Sequence, residues 1–154
     1  MDVRYVLFVP LLLGGCSPLV ERYDGHDYLF SSGHRDWNTW EGAREDCASR
    51  GYHLVDVEDA DENAWITAVA RVYSATEWWL GLNDREDESV WVWESGFTGQ
   101  FSYWASGVPD VSGGSDCAVL SAREDWDTGE SAGGRWRDAQ CGEWFPFVCE
   151  RETP

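Results

Sequence analysis

Basic residues are scarce in this chain. It has 11 Lys and Arg residues against 29 Asp and Glu residues, which gives a formal net charge of −18 at pH 7. Such a charge repels phosphate backbones, so we expect no nucleic-acid partner. The surplus of carboxylates suits a protein that binds cations, or it serves only to keep an exported protein soluble. The composition leaves both interpretations open.

The chain also lacks an apolar run long enough to cross a bilayer at its N-terminus. The uncharged run Tyr5–Leu13 has nine residues, whereas a membrane-spanning helix needs about 20. A short run behind Arg4 is typical of a secretion signal, and its end, Leu13-Gly14-Gly15-Cys16, is similar to a bacterial lipobox. The predicted mature chain therefore starts at a lipid-modified Cys16, and Ser17 favours the outer membrane. The alternatives are an ordinary cleaved signal, or a buried segment with a free thiol.

Two kinds of chemistry find no support in the sequence. The five cysteines form no Cys-x-x-Cys pair, and the three histidines do not lie near them at ligand spacing, which argues against a zinc site. No Ser/His/Asp or Cys/His order indicates a nucleophile, so we do not expect an enzyme. Beyond Cys16, four cysteines remain, which an exported chain would hold as disulfides in one of three pairings.

Length and aromatic content predict one domain with a substantial core. The chain has 154 residues and 11 tryptophans, each of which removes a large apolar area from water when it is buried. We divide the chain into a signal peptide at 1–15, a lipidated cysteine and tether at 16–22, one domain at 23–151 and a tail at 152–154. Tryptophan also stacks on sugar rings, so the count alone does not separate core residues from binding residues.

Hydrophobic spacing predicts two helices in the first half and strands in the second. Residues 38–50 start with Asn38 as N-cap, have Glu41 at the capping-box position, and end before Gly51. Residues 59–72 start with acidic residues, which suit a helix N-terminus. The apolar stripe of this second helix consists of Ala64, Trp65, Ala68, Val69 and Val72. Short aromatic or β-branched runs predict strands at 77–82, 89–95, 117–120 and 145–150.

A series of motifs along the chain resembles the C-type lectin-like domain. In order, they are YDGHDYLF, WEGAREDC, HLVDVEDADENAWI, WWLGLND, WVWESG, YWASGVPD, SDCAVL, RWRDAQC and FVCE, and they span Tyr23 to Glu150. The resemblance implies an α+β fold with two helices, two small antiparallel sheets, a long loop region and two disulfides. It also implies the pairings Cys47–Cys149 and Cys117–Cys141, and a core role for Trp79, Trp91, Trp93, Trp104 and Trp136.

The resemblance further implies a primary calcium and sugar site, which this chain matches only in part. Calcium takes six to eight oxygen ligands, and in the family two adjacent sugar hydroxyls complete the set. Asp110 and Asp138 match ligand positions of the family. Val108 offers no side-chain oxygen, Ser115 is a weak neutral ligand, and Arg137 stands where the family has an amide. We therefore expect a degenerate site, with Asp110, Asp138 and Arg137 as the residues nearest a ligand.

An auxiliary calcium site of the family is better preserved. Asp84 and Glu88 match its first pair of ligands and Asp116 matches a third, and four of the five residues from 84 to 88 are acidic. Unpaired negative charge of this density is costly unless it is solvated or bound to a cation. The sequence predicts either a calcium ion at this site or a solvated acidic loop.

The connection between Cys117 and Cys141 is longer than is usual in the family. It has 23 residues, with an insert at 121–135 that is rich in acidic and small residues and contains Trp126. A long loop in a compact domain is either functional or disordered. Trp126 is a candidate platform on which a sugar ring or an aromatic residue of a partner could stack. The alternative is that its side chain pins the loop to the domain.

Together these features predict a recognition module at the cell surface. The ligand is a glycan, bound with a degenerate primary calcium site and an auxiliary calcium site. The alternative is a calcium-independent module for adhesion or display that binds a surface protein and no sugar. Contact with a membrane is expected only through the lipid on Cys16, and the sequence indicates no particular oligomeric state.

Overall fold

The computed structural model describes residues 20–31, 36–110, 113–123 and 133–153. The predicted signal peptide, Cys16 and Trp126 lie outside these ranges. Within them, no helix is both long and apolar enough to cross a membrane. In chain order, the elements are β1 (Val20–Tyr23), β2 (His26–Phe30), α1 (Trp40–Ser49), β3 (His53–Leu54), α2 (Ala60–Tyr73), β4 (Glu77–Asn83), β5 (Val92–Trp93), β6 (Cys117–Ser121), β7 (Trp136–Ala139) and β8 (Val148–Glu152).

The first sheet joins the two ends of the described chain. Its strand order is β1-β2-β8-β3, and every pair is antiparallel. Asp24 and Gly25 connect β1 to β2 and both have positive φ, as a tight two-residue hairpin turn requires. Because β1 begins at Val20, the folded domain includes residues that were assigned to the tether, and β8 extends one residue into the predicted tail.

The N-cap of helix α1 lies one residue later than predicted. The cap is Thr39, whose hydroxyl accepts a hydrogen bond from the Gly42 N–H at 3.2 Å. Asn38 instead accepts from the Thr39 N–H through Oδ1 at 3.0 Å. Glu41 is not used as a capping-box residue, because its carboxylate forms ion pairs with Arg44 and Arg85.

Helix α2 has the predicted N-terminus, but its buried face is different from the predicted stripe. Asp59 caps it by accepting from the Glu62 N–H at 2.8 Å. The buried residues are Glu62, Asn63, Ile66, Thr67 and Ala70. Ala64 and Ala68 are exposed, and Val72 is 81% exposed. Trp65 and Val69 pack partly buried against the core as predicted, so the prediction was wrong for Ala64, Ala68 and Val72. It counted only apolar residues, whereas Glu62 and Asn63 are buried with polar partners inside the domain.

The partners of Asn63 explain why a polar residue can occupy the core side of α2. Its Oδ1 accepts from the indole N–H of Trp136 at 2.8 Å, and its Nδ2 donates to the carbonyl of Gly134 at 3.1 Å. A buried amide is stable when its hydrogen bonds are made inside the protein. Asn63 therefore joins α2 to the start of β7.

The second sheet separates two parts of the core. Its order is β5-β4-β6-β7, again antiparallel. Successive residues of a strand face opposite sides, so Trp78 packs into the larger part of the core and Trp79 into the smaller part. Trp79, Trp93 and Trp136 are buried, while Trp91 and Trp104 pack half-buried against the larger part. This confirms the core role expected for these five tryptophans.

Two disulfides link the elements. Cys47 of α1 is bonded to Cys149 of β8, and Cys117 of β6 is bonded to Cys141, which follows β7. These are the pairings that the resemblance implied, and the predicted α+β fold is confirmed. Residues 94–110 and 113–116, called the long loop below, connect β5 to β6, and the Val108–Pro109 peptide bond within them is cis.

Candidate functional site

Four carboxylates gather where β4 ends and the long loop returns to β6. The backbone N–H of Asp84 donates to the carbonyl of Asp116 at 3.0 Å, which brings the two ends of this region together. A side-chain carbon placed on Gly113 would lie 3.4 Å from Glu88 Oε2, so Glu88 is beside the returning chain. The negative charges of Asp84, Asp116 and Asp110 all act on Glu88. We call Asp84, Glu88, Asp110 and Asp116 the loop cluster.

Asp84 is the buried member of the loop cluster. Asp84 is only 4% exposed, and its Oδ2 accepts a hydrogen bond from the Ser89 N–H at 2.8 Å. Its other oxygen, Oδ1, is buried and has no hydrogen-bond partner among the residues described. A buried carboxylate oxygen without a donor is unusual in folded proteins, and a bound cation would satisfy it.

The electrostatics of Glu88 point in the same direction. Its pKa is raised, first by reduced hydration and then by the negative charges of Asp84, Asp116 and Asp110. Neighbouring carboxylates of like charge disfavour one another's ionised forms. The cluster thus presents several oxygens whose mutual repulsion a divalent cation would relieve.

The two residues that match the primary site are also neighbours. Asp138 lies on β7 and is 9% exposed, and its Oδ2 accepts a hydrogen bond from the backbone N–H of Asp110 at 3.2 Å. Since Asp110 also belongs to the loop cluster, the structure brings all five predicted metal-site residues into one continuous region. Val108 and Ser115 contribute no carboxylate there.

Arg137 is held away from a ligand by an acidic partner. Its guanidinium donates to both carboxylate oxygens of Glu77 on β4, with Nη2 to Oε2 at 2.7 Å, and Nη1 donates to the carbonyl of Asp138 at 2.9 Å. The hydrogen bonds to Glu77 raise the pKa of Arg137. A two-point contact of this kind fixes the guanidinium plane. We therefore leave Arg137 out of the proposed ligand set.

A second group of titratable side chains was missed by the sequence analysis. Glu62 of α2 and Glu150 of β8 are 4% and 3% exposed. One carboxylate oxygen of each and a ring nitrogen of His26 all lie within 4.8 Å of one another. The available signal was a glutamate at a helix position that faces the core, together with a glutamate inside the last strand. The loop cluster and this group lie on different elements and are treated separately.

The arrangement supports binding and not covalent chemistry. The loop cluster offers carboxylate oxygens, which hard cations such as calcium prefer. Asp110 and Asp138 offer acceptors for hydroxyl groups at the edge of that cluster. A polyhydroxylated ligand beside a bound cation is the chemistry that this geometry favours.

Comparison with known proteins identifies the fold and its relatives. The sequence model of the family described as "Lectin C-type domain" matches residues 37–151. The human versican core protein is 28% identical over 134 residues, which is 86% of this chain and 4% of versican. The chain therefore corresponds to a small part of that much longer protein.

Two solved structures extend the comparison. The carbohydrate-recognition domain of the mouse scavenger receptor C-type lectin is 31% identical, with a TM-score of 0.73, and the match covers 91% of this chain and 100% of that domain. A calcium-independent type II antifreeze protein has a TM-score of 0.75 at 17% identity, covering 91% of this chain and 96% of that protein. The second likeness shows the fold alone.

Proposed function

Since the chain belongs to the C-type lectin domain family, we propose that it is an exported recognition module whose long loop binds calcium and, beside the calcium, a glycan. Domains of this family are binding modules and not enzymes. The observation that carries the proposal is the buried Oδ1 of Asp84, which has no hydrogen-bond partner in the described part of the chain. Calcium at the loop cluster would satisfy this oxygen.

The sugar would contact the outer edge of the same region. Asp138 already accepts from the Asp110 N–H, and carboxylates accept hydrogen bonds from hydroxyl groups strongly. Asp110 is exposed, so a ligand in solution can reach it. The mouse relative is a carbohydrate-recognition domain by name, which supports a glycan as the ligand class. Trp126, which lies outside the described residues, stays a predicted platform for a sugar ring.

A glycan array tests the ligand class directly. We expect the domain to bind a subset of glycans in millimolar calcium and to lose that signal when EDTA is added. Asp138→Asn should weaken the signal about tenfold, because a carboxylate acceptor becomes a neutral amide. Asp87→Asn, at an exposed position between β4 and β5, is the control and should bind like the wild type. An array without any signal in either condition would contradict the glycan proposal.

One observation favours a second function, calcium-independent binding of a protein. Val90 and Val92 are 51% and 48% exposed and flank Trp91, and Val92 begins β5, an edge strand of the second sheet. Apolar side chains exposed near a binding loop suit a protein surface better than a sugar. Val108 has no side-chain oxygen and Ser115 has no carboxylate, unlike the family pattern, and both departures agree with this alternative. If the folded domain bound none of the glycans on the array, that result would favour protein binding.

We also propose that a lipid on Cys16 anchors the module to a membrane. The proposal rests on the segment Leu13–Cys16, which is similar to a lipobox. Two or more acyl chains give stable anchoring. Expressed in a Gram-negative host, the full chain should sediment with membranes, and Cys16→Ser should move most of it to the soluble fraction. Cys16→Ser that stays with the membranes to the same extent as the wild type would refute the anchor.

A further inference from the structure

A buried cluster of acids connects four parts of the domain far from the loop cluster in sequence. It consists of His26 and Tyr28 of β2, Glu150 of β8, Glu62 of α2, and Asp56, which follows β3. We call these five residues the acid cluster. Tyr28, Glu150, Glu62 and Asp56 are 1%, 3%, 4% and 6% exposed. Three carboxyl groups are therefore buried together, where ionised carboxylates are costly unless they are paired.

A tyrosine, a histidine and backbone N–H groups hold the glutamates of the acid cluster. The hydroxyl of Tyr28 lies 2.5 Å from Glu62 Oε1 and 3.5 Å from Glu150 Oε1, and it has one proton to give. Glu150 Oε1 lies 2.5 Å from His26 Nδ1, and Glu150 Oε2 accepts from the Asp56 N–H at 3.0 Å. All four oxygens of Glu62 and Glu150 thus have a partner, since Glu62 Oε2 accepts from the Glu58 N–H at 2.6 Å, and none of these partners is an arginine or a lysine.

Asp56 extends the acid cluster to the base of the long loop. Its Oδ2 accepts from the hydroxyl of Ser95 at 2.5 Å, and the same hydroxyl oxygen accepts from the Phe97 N–H at 3.0 Å. Its Oδ1 is buried and has no partner among the described residues. Asp56 therefore connects the acid cluster by hydrogen bonds to the residues where the long loop begins.

Charges on every neighbouring element add to the imbalance. Glu58, before α2, acts on Glu62, and Glu94, after β5, acts on Asp56; both are negative. The basic side chains in contact with the acid cluster, within the described ranges, are His26 at Glu150 and His53, whose Nδ1 lies 3.7 Å from Asp56 Oδ2. Both are histidines, which carry a charge only when they are protonated.

We propose that the acid cluster is a proton-operated latch: with a shared proton it holds α2, β8 and the base of the long loop together, and loss of the proton at alkaline pH loosens them. The inference is independent of the ligand of the long loop. Burial and the charge of Glu62 raise the pKa of Glu150 to about 7. Burial also raises the pKa of Asp56 to about 6 and raises that of Glu62.

The direction of the pH dependence follows from these shifts. The ordinary pKa of a glutamate is 4.5, so between about 4.5 and about 7 the folded protein binds more protons than the unfolded chain. Stability then falls as pH rises. The extra stability is fully present below the ordinary value and is lost as the pH passes the folded value of about 7.

Denaturant unfolding at a series of pH values, measured both without and with EDTA, tests the latch. Between about pH 5.5 and about pH 8, the folding equilibrium constant of the wild type should drop roughly tenfold or more. Glu150→Gln should flatten most of this drop, because the amide does not titrate. Glu62→Gln is the second variant in case the first does not fold, and it should also reduce the drop. Glu152→Gln, at an exposed position of the same strand, should follow the wild type.

Hydrogen exchange adds a local measurement. After correction for the intrinsic pH dependence of exchange, the amide of Asp56, which donates to Glu150, should lose protection at alkaline pH before the amides of α1. An equal drop in stability for Glu150→Gln, Glu62→Gln and wild type would overturn the proposal. So would a wild-type drop that appears only after EDTA has removed a metal ion, since the cluster would then be neutralised by that ion and not by a proton.

Discussion

The double substitution Cys47→Ala and Cys149→Ala is expected to lower the free energy of unfolding by about 4 to 5 kcal/mol. The two cysteines are 102 residues apart in sequence, and the bond joins α1 to β8. Closing a loop of that length removes much of the entropy of the unfolded chain, and the stabilisation grows with loop length. A loss of this size is comparable with the whole stability of many small domains.

The second disulfide provides the matched control. Cys117 and Cys141 are separated by 24 residues, so the same model predicts a smaller loss of about 3 to 4 kcal/mol for Cys117→Ala and Cys141→Ala. Urea unfolding of the three proteins, followed by tryptophan fluorescence, measures both values. A larger loss from the short loop than from the long loop would contradict the loop-entropy argument. A loss below about 1 kcal/mol for the long loop would do the same.

The fold could be predicted from the sequence because its signals are ordered along the whole chain. The helix N-termini, the cysteines and the aromatic strands each have a physical meaning, and together with the motif series they resemble one domain family. What the sequence does not contain is the partner of each polar residue. Apolar periodicity therefore misplaced the buried face of α2, where Glu62 is covered by Tyr28 and Asn63 by Trp136.

The candidate site could be predicted only in part, for a similar reason. Asp84, Glu88 and Asp116 follow from motif positions, and the structure adds that Asp110 is close enough for its charge to act on Glu88. The orientation of Arg137 depends on Glu77, a residue 60 positions away in sequence. Long-range ion pairs leave no local pattern, so the sequence could not tell whether Arg137 points to the ligand.

The acid cluster shows the same limit in the core. Its members come from β2, α2, β8 and the segment between β3 and α2, and the motifs that contain them indicated no site. Their chemistry arises from burial, which raises the pKa of each carboxyl group. Burial of charged residues is against the statistical expectation for Asp and Glu, so only the folded arrangement reveals it.

Calcium binding by the loop cluster is the second large effect that we expect. Asp84→Asn should weaken calcium binding at least tenfold, because a neutral amide replaces the buried carboxylate whose Oδ1 has no hydrogen-bond partner in the described part of the chain. The substitution also removes one negative charge from the cluster, which lowers the attraction of the cluster for a divalent cation. Glu86→Gln, at an exposed position of the same turn, removes one charge outside the cluster and serves as the control.

Isothermal titration of the mature domain with calcium chloride measures this most directly. The account predicts saturable binding with a dissociation constant on the order of 0.1 to 1 mM, a loss of at least tenfold in Asp84→Asn, and a change within about threefold in Glu86→Gln. No binding heat at millimolar calcium in the wild type, or equal affinity in the wild type and Asp84→Asn, would contradict the assignment of the loop cluster as a calcium site.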